Sequence, residues 1–167
     1  MNEIDFIKLD QVDRKALTDL LNNERIRRHL ADHPAFDPTS LEKWLLNKIE
    51  TDAIPGSRLR AVYIGDRFAG WCGIQPLDGQ PEVALVLDDA YWGRGREIFR
   101  ELMSWARELG HESVSLCFPL SRREYGFLTR RSRRTYRREW MGQQFRVYEL
   151  EVSGIASYRT EKRHARQ

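Results

Sequence analysis

The spacing of apolar positions changes near residue 58. Before it, they recur three and four apart, the period of an amphipathic helix. In "DQVDRKALTDLLNN", Val12, Leu17, Leu20 and Leu21 share one face, and Asn22–Asn23 supply a stop. A second helical region includes "NERIRRHL". After the turn-rich "ADHPAFDPTS", the segment "LEKWLLNKIE" places Leu41, Trp44, Leu45 and Ile49 on a stripe, with Ser40 as the expected cap. A short strand, "DFIKL", precedes these helices. Beyond residue 58 the period drops to two. "RLRAVYI" and "RFAGWCGI" flank a hairpin turn at Gly65–Asp66, and the more continuously apolar "PEVALVL" is expected at the centre of a sheet.

A helical stripe then returns in Ile98, Phe99, Leu102, Met103, Ala106 and Leu109. "ESVSLCF" alternates as a further strand, and a basic, helical piece is expected over about 121–131. Two last strands meet at Gly142. This order predicts one α/β unit over residues 1–152, with a mixed, mainly antiparallel sheet of about 6–7 strands flanked by about 4 helices. The basic segment 153–167 has little to bury and is expected to be loosely held.

Composition supports a globular chain: of 167 residues, 41% are apolar. No stretch has the length and apolarity of a membrane helix, and "MNEIDFIKLD" has no signal-peptide core, so a cytoplasmic protein without a membrane partner is expected. Cys72 and Cys117 lie in strand-like apolar runs, where buried free thiols are the simplest expectation. Charge is uneven. Residues 1–90 carry 11 Lys+Arg against 16 Asp+Glu, whereas residues 91–167 carry 17 against 9. A basic second half suits an anionic partner such as a phosphate, a nucleotide or RNA.

The junction "PEVALVLDDAYWGRGREIFRELMSWARELG" combines a strand, a Gly-containing turn and a helix start. Glycines permit close backbone approach, successive N–H groups form a nest, and the helix dipole favours an anion there. With the element order, this stretch resembles the GCN5-related N-acetyltransferase (GNAT) superfamily, over about residues 4–152. The matching positions are Glu82, Val86, Leu87, Asp88, Tyr91, Trp92, Gly93, Arg94 and Gly95.

The resemblance implies direct transfer of an acyl group from acetyl-CoA, or a related acyl-CoA, to a primary amine without a metal. It implies pantetheine contacts near Val86 and Leu87, and a pyrophosphate on the loop spanning Trp92, Gly93, Arg94, Gly95 and Arg96. The family pattern ends in a small residue where one alignment puts Glu97. Aligned instead from the helix, the loop is two residues short, Gly95 takes the last-glycine role, and Glu97 is a first-turn helix residue that favours the dipole.

The resemblance also makes Glu82 a general base acting through water. The other interpretation is an exposed carboxylate at a strand end. The family's tyrosine acid aligns near Leu128 or Thr129, so Tyr125 is the nearest substitute; packing of its ring is the alternative. Residues 121–138 carry eight arginines and one acid. They suit a protected sheet edge, the coenzyme's 3′-phosphate, or an RNA-facing surface with Tyr125, Phe127 and Tyr136 interleaved. His29 and His33 stand four apart, but without a metal-site signature they are expected as surface histidines. The acceptor is a small-molecule amine or one linked to protein or tRNA, and the chain is a monomer or homodimer. A catalytically degenerate GNAT-fold module binding RNA or another anion is the alternative function.

Overall fold

The structure, a computed structural model, describes residues 2–30 and 33–152; the segment expected to be loosely held, 153–167, lies outside them. The first strand, β1 (Ile4–Ile7), leads through a 3₁₀ turn at Leu9–Gln11 into α1 (Arg14–Asn22). The Asp13 carboxylate caps α1 by accepting from the Ala16 N–H at 2.9 Å. Asn23 then works twice. Its N–H donates to the Leu20 carbonyl to close α1, and its Oδ1 accepts from Arg25 N–H to open the single turn α2 (Glu24–Arg27).

The third helix, α3 (Pro38–Asp52), begins earlier than Ser40 alone suggests. Asp37 is the cap, Pro38 occupies the first turn, and Ser40 is the reciprocal partner of a capping box. Proline fits there because its missing N–H would be unpaired anyway, and the cap lies three residues upstream of the expected Ser40.

The sheet follows the expected alternation. β2 (Arg58–Ile64), β3 (Arg67–Leu77) and β4 (Gln80–Leu87) form an antiparallel meander with β1. Gly65 takes φ 63° in the β2–β3 turn. Asp78 and Gly79, at φ 49° and 76°, make the Asp-Gly turn between β3 and β4. A 3₁₀ segment at Asp89–Arg94 runs into α4 (Gly95–Glu108), followed by β5 (Ser113–Pro119), α5 (Gly126–Arg131), β6 (Ser132–Trp140) and β7 (Gln143–Glu151). The strand order β1-β2-β3-β4-β5-β7-β6 puts β4 at the centre and the arginine-rich β6 at an edge. Among the described residues, seven strands and five α-helices, one more helix than expected, make the mixed, mainly antiparallel fold expected.

Two cores cover the two faces of the sheet. Leu17, Leu20, Leu41 and Leu45 from α1 and α3 pack on Leu59, Ala61, Trp71 and Val86. Ile98, Leu102, Met103 and Ala106 from α4 pack on Val62, Ile74, Val83, Leu87, Val114 and Leu116. Strand alternation therefore assigns Glu82, Ala84 and Val86 to the α1/α3 face and Val83, Leu85 and Leu87 to the α4 face. Among the described residues, no helix is long and apolar enough to cross a membrane.

Candidate active site

The sheet opens at its centre. β4 and β5 run parallel, and one residue pair, Glu82 with Ser115, joins them among the described residues. Beyond that pair the strands part, and a cleft of about 1580 Å³ runs between them. Its walls include Val83, Val86, Leu116 and Phe118 from the two strands, with Gly95 and Arg96 at the start of α4.

Glu82 sits where the strands still touch. Its Oε1 accepts from Gln75 Nε2 at 3.3 Å, and the Cys117 thiol also hydrogen-bonds the carboxylate. Gln75 Oε1 in turn accepts from Lys48 Nζ at 2.8 Å. The order of this chain follows from chemistry: an ammonium only donates and a carboxylate only accepts, so the amide oxygen faces Lys48 and its N–H faces Glu82. Burial raises the Glu82 pKa above the usual carboxylate range, with the two hydrogen bonds and the nearby Lys48 charge opposing the shift. A carboxylate poised higher is a better base near neutrality.

Cys117 is a tempting nucleophile beside that base, but its environment argues otherwise. Burial and the Glu82 charge push its thiol up to about 12. The group therefore stays protonated and donates to Glu82. Cys72 is buried and also raised by burial; both cysteines are free.

Lys48 lies on the aromatic floor of the α3 side. Its Nζ is 5.0 Å from the Trp71 ring centroid and 5.6 Å from that of Trp44, and the two rings meet edge-on. Burial lowers its pKa, opposed by the Glu82 charge. The Trp71 side chain is 6% exposed, and its indole N–H is buried without a hydrogen-bond partner among the described residues.

Tyr125 stands across the cleft at the start of α5. Its backbone N–H donates to the hydroxyl of the fully buried Tyr148, and its ring meets Phe118, which in turn meets the Tyr148 ring. Its Oη accepts from Arg122 at 2.6 Å, which leaves the phenolic proton as the one it can give. The ring is thus packed, the second of the two alternatives drawn from the sequence, and it also lines the cleft.

At the other end, the turn is wound as a 3₁₀ segment. The Gly95 N–H donates to the Trp92 carbonyl, and α4 opens with Gly95, Arg96 and Glu97 in its first turn. Helix geometry leaves the amides of Arg96 and Glu97 without acceptors inside α4 itself. The Glu97 carboxylate is drawn sideways into an ion pair with Arg94 at 2.8 Å, which lowers its pKa. Arg94 also donates to the Asn2 carbonyl, so its side chain faces β1. Trp92 folds back and donates from Nε1 to the Leu87 carbonyl at 3.0 Å, and its ring meets His29. That bond occupies the Leu87 oxygen, while Val86 packs on the α1/α3 face.

Gly93 and Gly95 need no left-handed conformation; Gly95 has φ −59°. A Cβ on Gly93 would meet nothing within 4 Å, and one on Gly95 would only touch Leu87 at 4.0 Å. No neighbour within the protein requires glycine here. The bare backbone and first-turn amides suit an anionic group lying close against them, and Arg96 and Arg100 line the adjoining wall.

Three arginines of the run pair with carboxylates. Arg133 and Arg134 pair with Glu149, and Arg138 pairs with Asp78. His29 and His33 line the cleft without forming a metal cluster; the described residues contain no group of three or more His, Cys, Asp or Glu able to hold a metal ion.

Residues 4–121 match the family model described as "Acetyltransferase (GNAT) domain". The chain belongs to the GNAT acetyltransferase family. Solved GNAT structures agree in fold across most of the chain. A probable acetyltransferase from Chromobacterium violaceum is 19% identical, with a TM-score of 0.67 over 90% of this chain and 87% of its own. The putative acetyltransferase yncA from Salmonella typhimurium, solved with its cofactor acetyl-CoA, is 14% identical with a TM-score of 0.64 over 91% and 94%. Mutant forms of the spermidine/spermine N-acetyltransferase SpeG from Vibrio cholerae give 13% and 0.65 over 93% and 96%. No curated protein matches the sequence significantly.

The GNAT resemblance singled out Glu82, Tyr125 and the loop, and the fold brings Glu82, Tyr125, Gly95 and Arg96 to one cleft. Sequence reasoning missed Lys48 and Gln75, and treated Trp44 only as core and Cys117 only as a buried thiol. Lys48 follows the apolar stripe of α3 by one turn from Trp44, a spacing that gives no sign of a ligand site.

Proposed function

We propose that this GNAT protein is an acyl-CoA-dependent N-acyltransferase, with acetyl-CoA as the natural donor, acting by direct attack of an amine. The observation that carries it is the split between β4 and β5, with the buried Glu82 carboxylate at its closed end and a glycine-opened helix N-terminus at its other end. When bound, acyl-CoA supplies an activated thioester. The pyrophosphate would rest near the amides of Arg96 and Glu97 and the bare backbone of Gly93 and Gly95, with Arg96 and Arg100 for charge; Trp92 and Arg94 brace the turn. The arm would lie along Val86 and Leu87.

Glu82 takes the proton of the incoming amine, directly or through water, as the nitrogen bonds to the acyl carbon. The carbon–sulfur bond breaks, and Tyr125 offers its proton to the departing thiolate. The raised Cys117 pKa disfavours the thiolate that a covalent acyl-enzyme would need, which supports transfer in one displacement. The pairing of Arg133, Arg134 and Arg138 with carboxylates gives no particular support to RNA binding, and an amine in a small molecule is preferred to a tRNA-linked one. A cytoplasmic site of action suits the free cysteines.

Thermal unfolding with and without acetyl-CoA tests this. Binding to the folded state at a hundred times Kd stabilises by about 2.7 kcal/mol, so the Tm should rise with donor concentration. No rise at millimolar acetyl-CoA would sink the proposal.

A further inference from the structure

The α3 side of the cleft carries positive charge that a donor on the α4 side does not account for. Lys48 is a partly buried cation whose bond to Gln75 connects it only indirectly with Glu82. Among the described lining residues Glu82 is the one carboxylate, while Lys48 and Arg122 line the cleft and Arg138, also lining it, is paired with Asp78. Beside Lys48, Trp71 holds a buried indole N–H without an acceptor. A charged donor and an unpartnered one on neighbouring side chains suit an anionic oxygen.

The Gln75 carboxamide shows the spacing. Its oxygen faces the Lys48 ammonium and its N–H faces the Glu82 carboxylate, bridging the two with one hydrogen bond at each end. An α-amino acid has the same polarity over a similar span, with a carboxylate for Lys48 and an amine for Glu82. The aromatic faces of Trp44 and Phe36 and the side chain of Leu30 line the same region, room for an apolar or aromatic side chain.

We propose that the acceptor is an α-amino acid, its carboxylate held by Lys48 and the Trp71 indole N–H and its amine presented to Glu82. This rests on the acyltransferase reading above. A polyamine would instead meet Lys48 and Arg122 against a single carboxylate among the described lining residues, which is unfavourable.

The test compares acetyl transfer to matched pairs that differ in the carboxylate alone: L-phenylalanine and phenethylamine, L-leucine and isoamylamine, L-lysine and cadaverine. For at least one pair the acid should have a kcat/KM about tenfold or more above its decarboxylated partner. Lys48→Met should abolish that preference by raising KM for the acid, while K48R retains part of it. A Tm rise with acetyl-CoA in K48M shows that the variant is folded; should it fail to fold, the wild-type ratios decide alone. If acetyl-CoA stabilises the protein but every amine equals or exceeds its acid, or no acid is acetylated, the acceptor class is wrong and donor binding stands. If acetyl-CoA has no effect on Tm, the transferase reading falls and this inference with it.

Discussion

Glu82 is held in a state that helps chemistry and costs stability. Because its pKa is raised in the folded protein, the native state binds its proton more readily than the unfolded chain does. Its contribution to stability therefore improves as pH falls through the raised value, and the penalty is full above it. Glu82→Gln should raise the Tm at neutral and alkaline pH, with the gain shrinking in acid. The same variant should lower kcat/KM by about a hundredfold or more, and the wild-type acid limb should fall above the ordinary glutamate range. Stability curves against pH for both proteins, with the rate profile, check the two signs together. Cys117 supplies the complementary case. Its thiol, pushed up to about 12, is a donor to Glu82. Cys117→Ala should keep transfer within a few-fold of wild type and show no acyl-enzyme on intact-mass analysis; a trapped wild-type thioester at Cys117 would refute direct attack.

The start of α4 shows how an element is shaped for something outside the chain. Glycine in a helix is less stable than alanine by about 1 kcal/mol, and Gly95 has helical φ and ψ with no close protein neighbour. Gly95→Ala should leave the Tm unchanged or higher while raising KM for acetyl-CoA several-fold. A loss of Tm with unchanged KM would make Gly95 a folding residue only. Element identity was legible because period and turn chemistry agree: Gly65 in its hairpin, the α4 stripe, and the switch from period three to two near residue 58. The helix alignment also placed Glu97 in the first turn, where it pairs with Arg94. The α3 start was less legible, since Asp37 and Ser40 both have capping side chains and only the proline between them decides. The Lys48–Gln75–Glu82 chain was not legible at all. Its members come from α3, β3 and β4, and a lysine or glutamine near an apolar stripe carries no mark of what the sheet will set against it.

At the scale of the molecule, the sheet is two antiparallel sets joined along one parallel boundary. β1 to β4 form a meander, β5 to β7 form the other set, and Glu82–Ser115 is the described pair that connects them. Backbone groups facing a gap lack the protection that a neighbouring strand gives. Amides of β4 and β5 on that boundary should exchange with deuterium faster than those of the β2–β3 pair, and acetyl-CoA should slow them more than any other set. Uniform protection across the sheet, unchanged by the donor, would contradict this. The parting of β4 and β5 thus has a mechanical meaning as well. The Arg138–Asp78 pair ties β6 to the β3–β4 turn over the intervening β5 and β7, so the two sets are latched beside their hinge. A donor bound there as proposed would add contacts across the line where the two sets part.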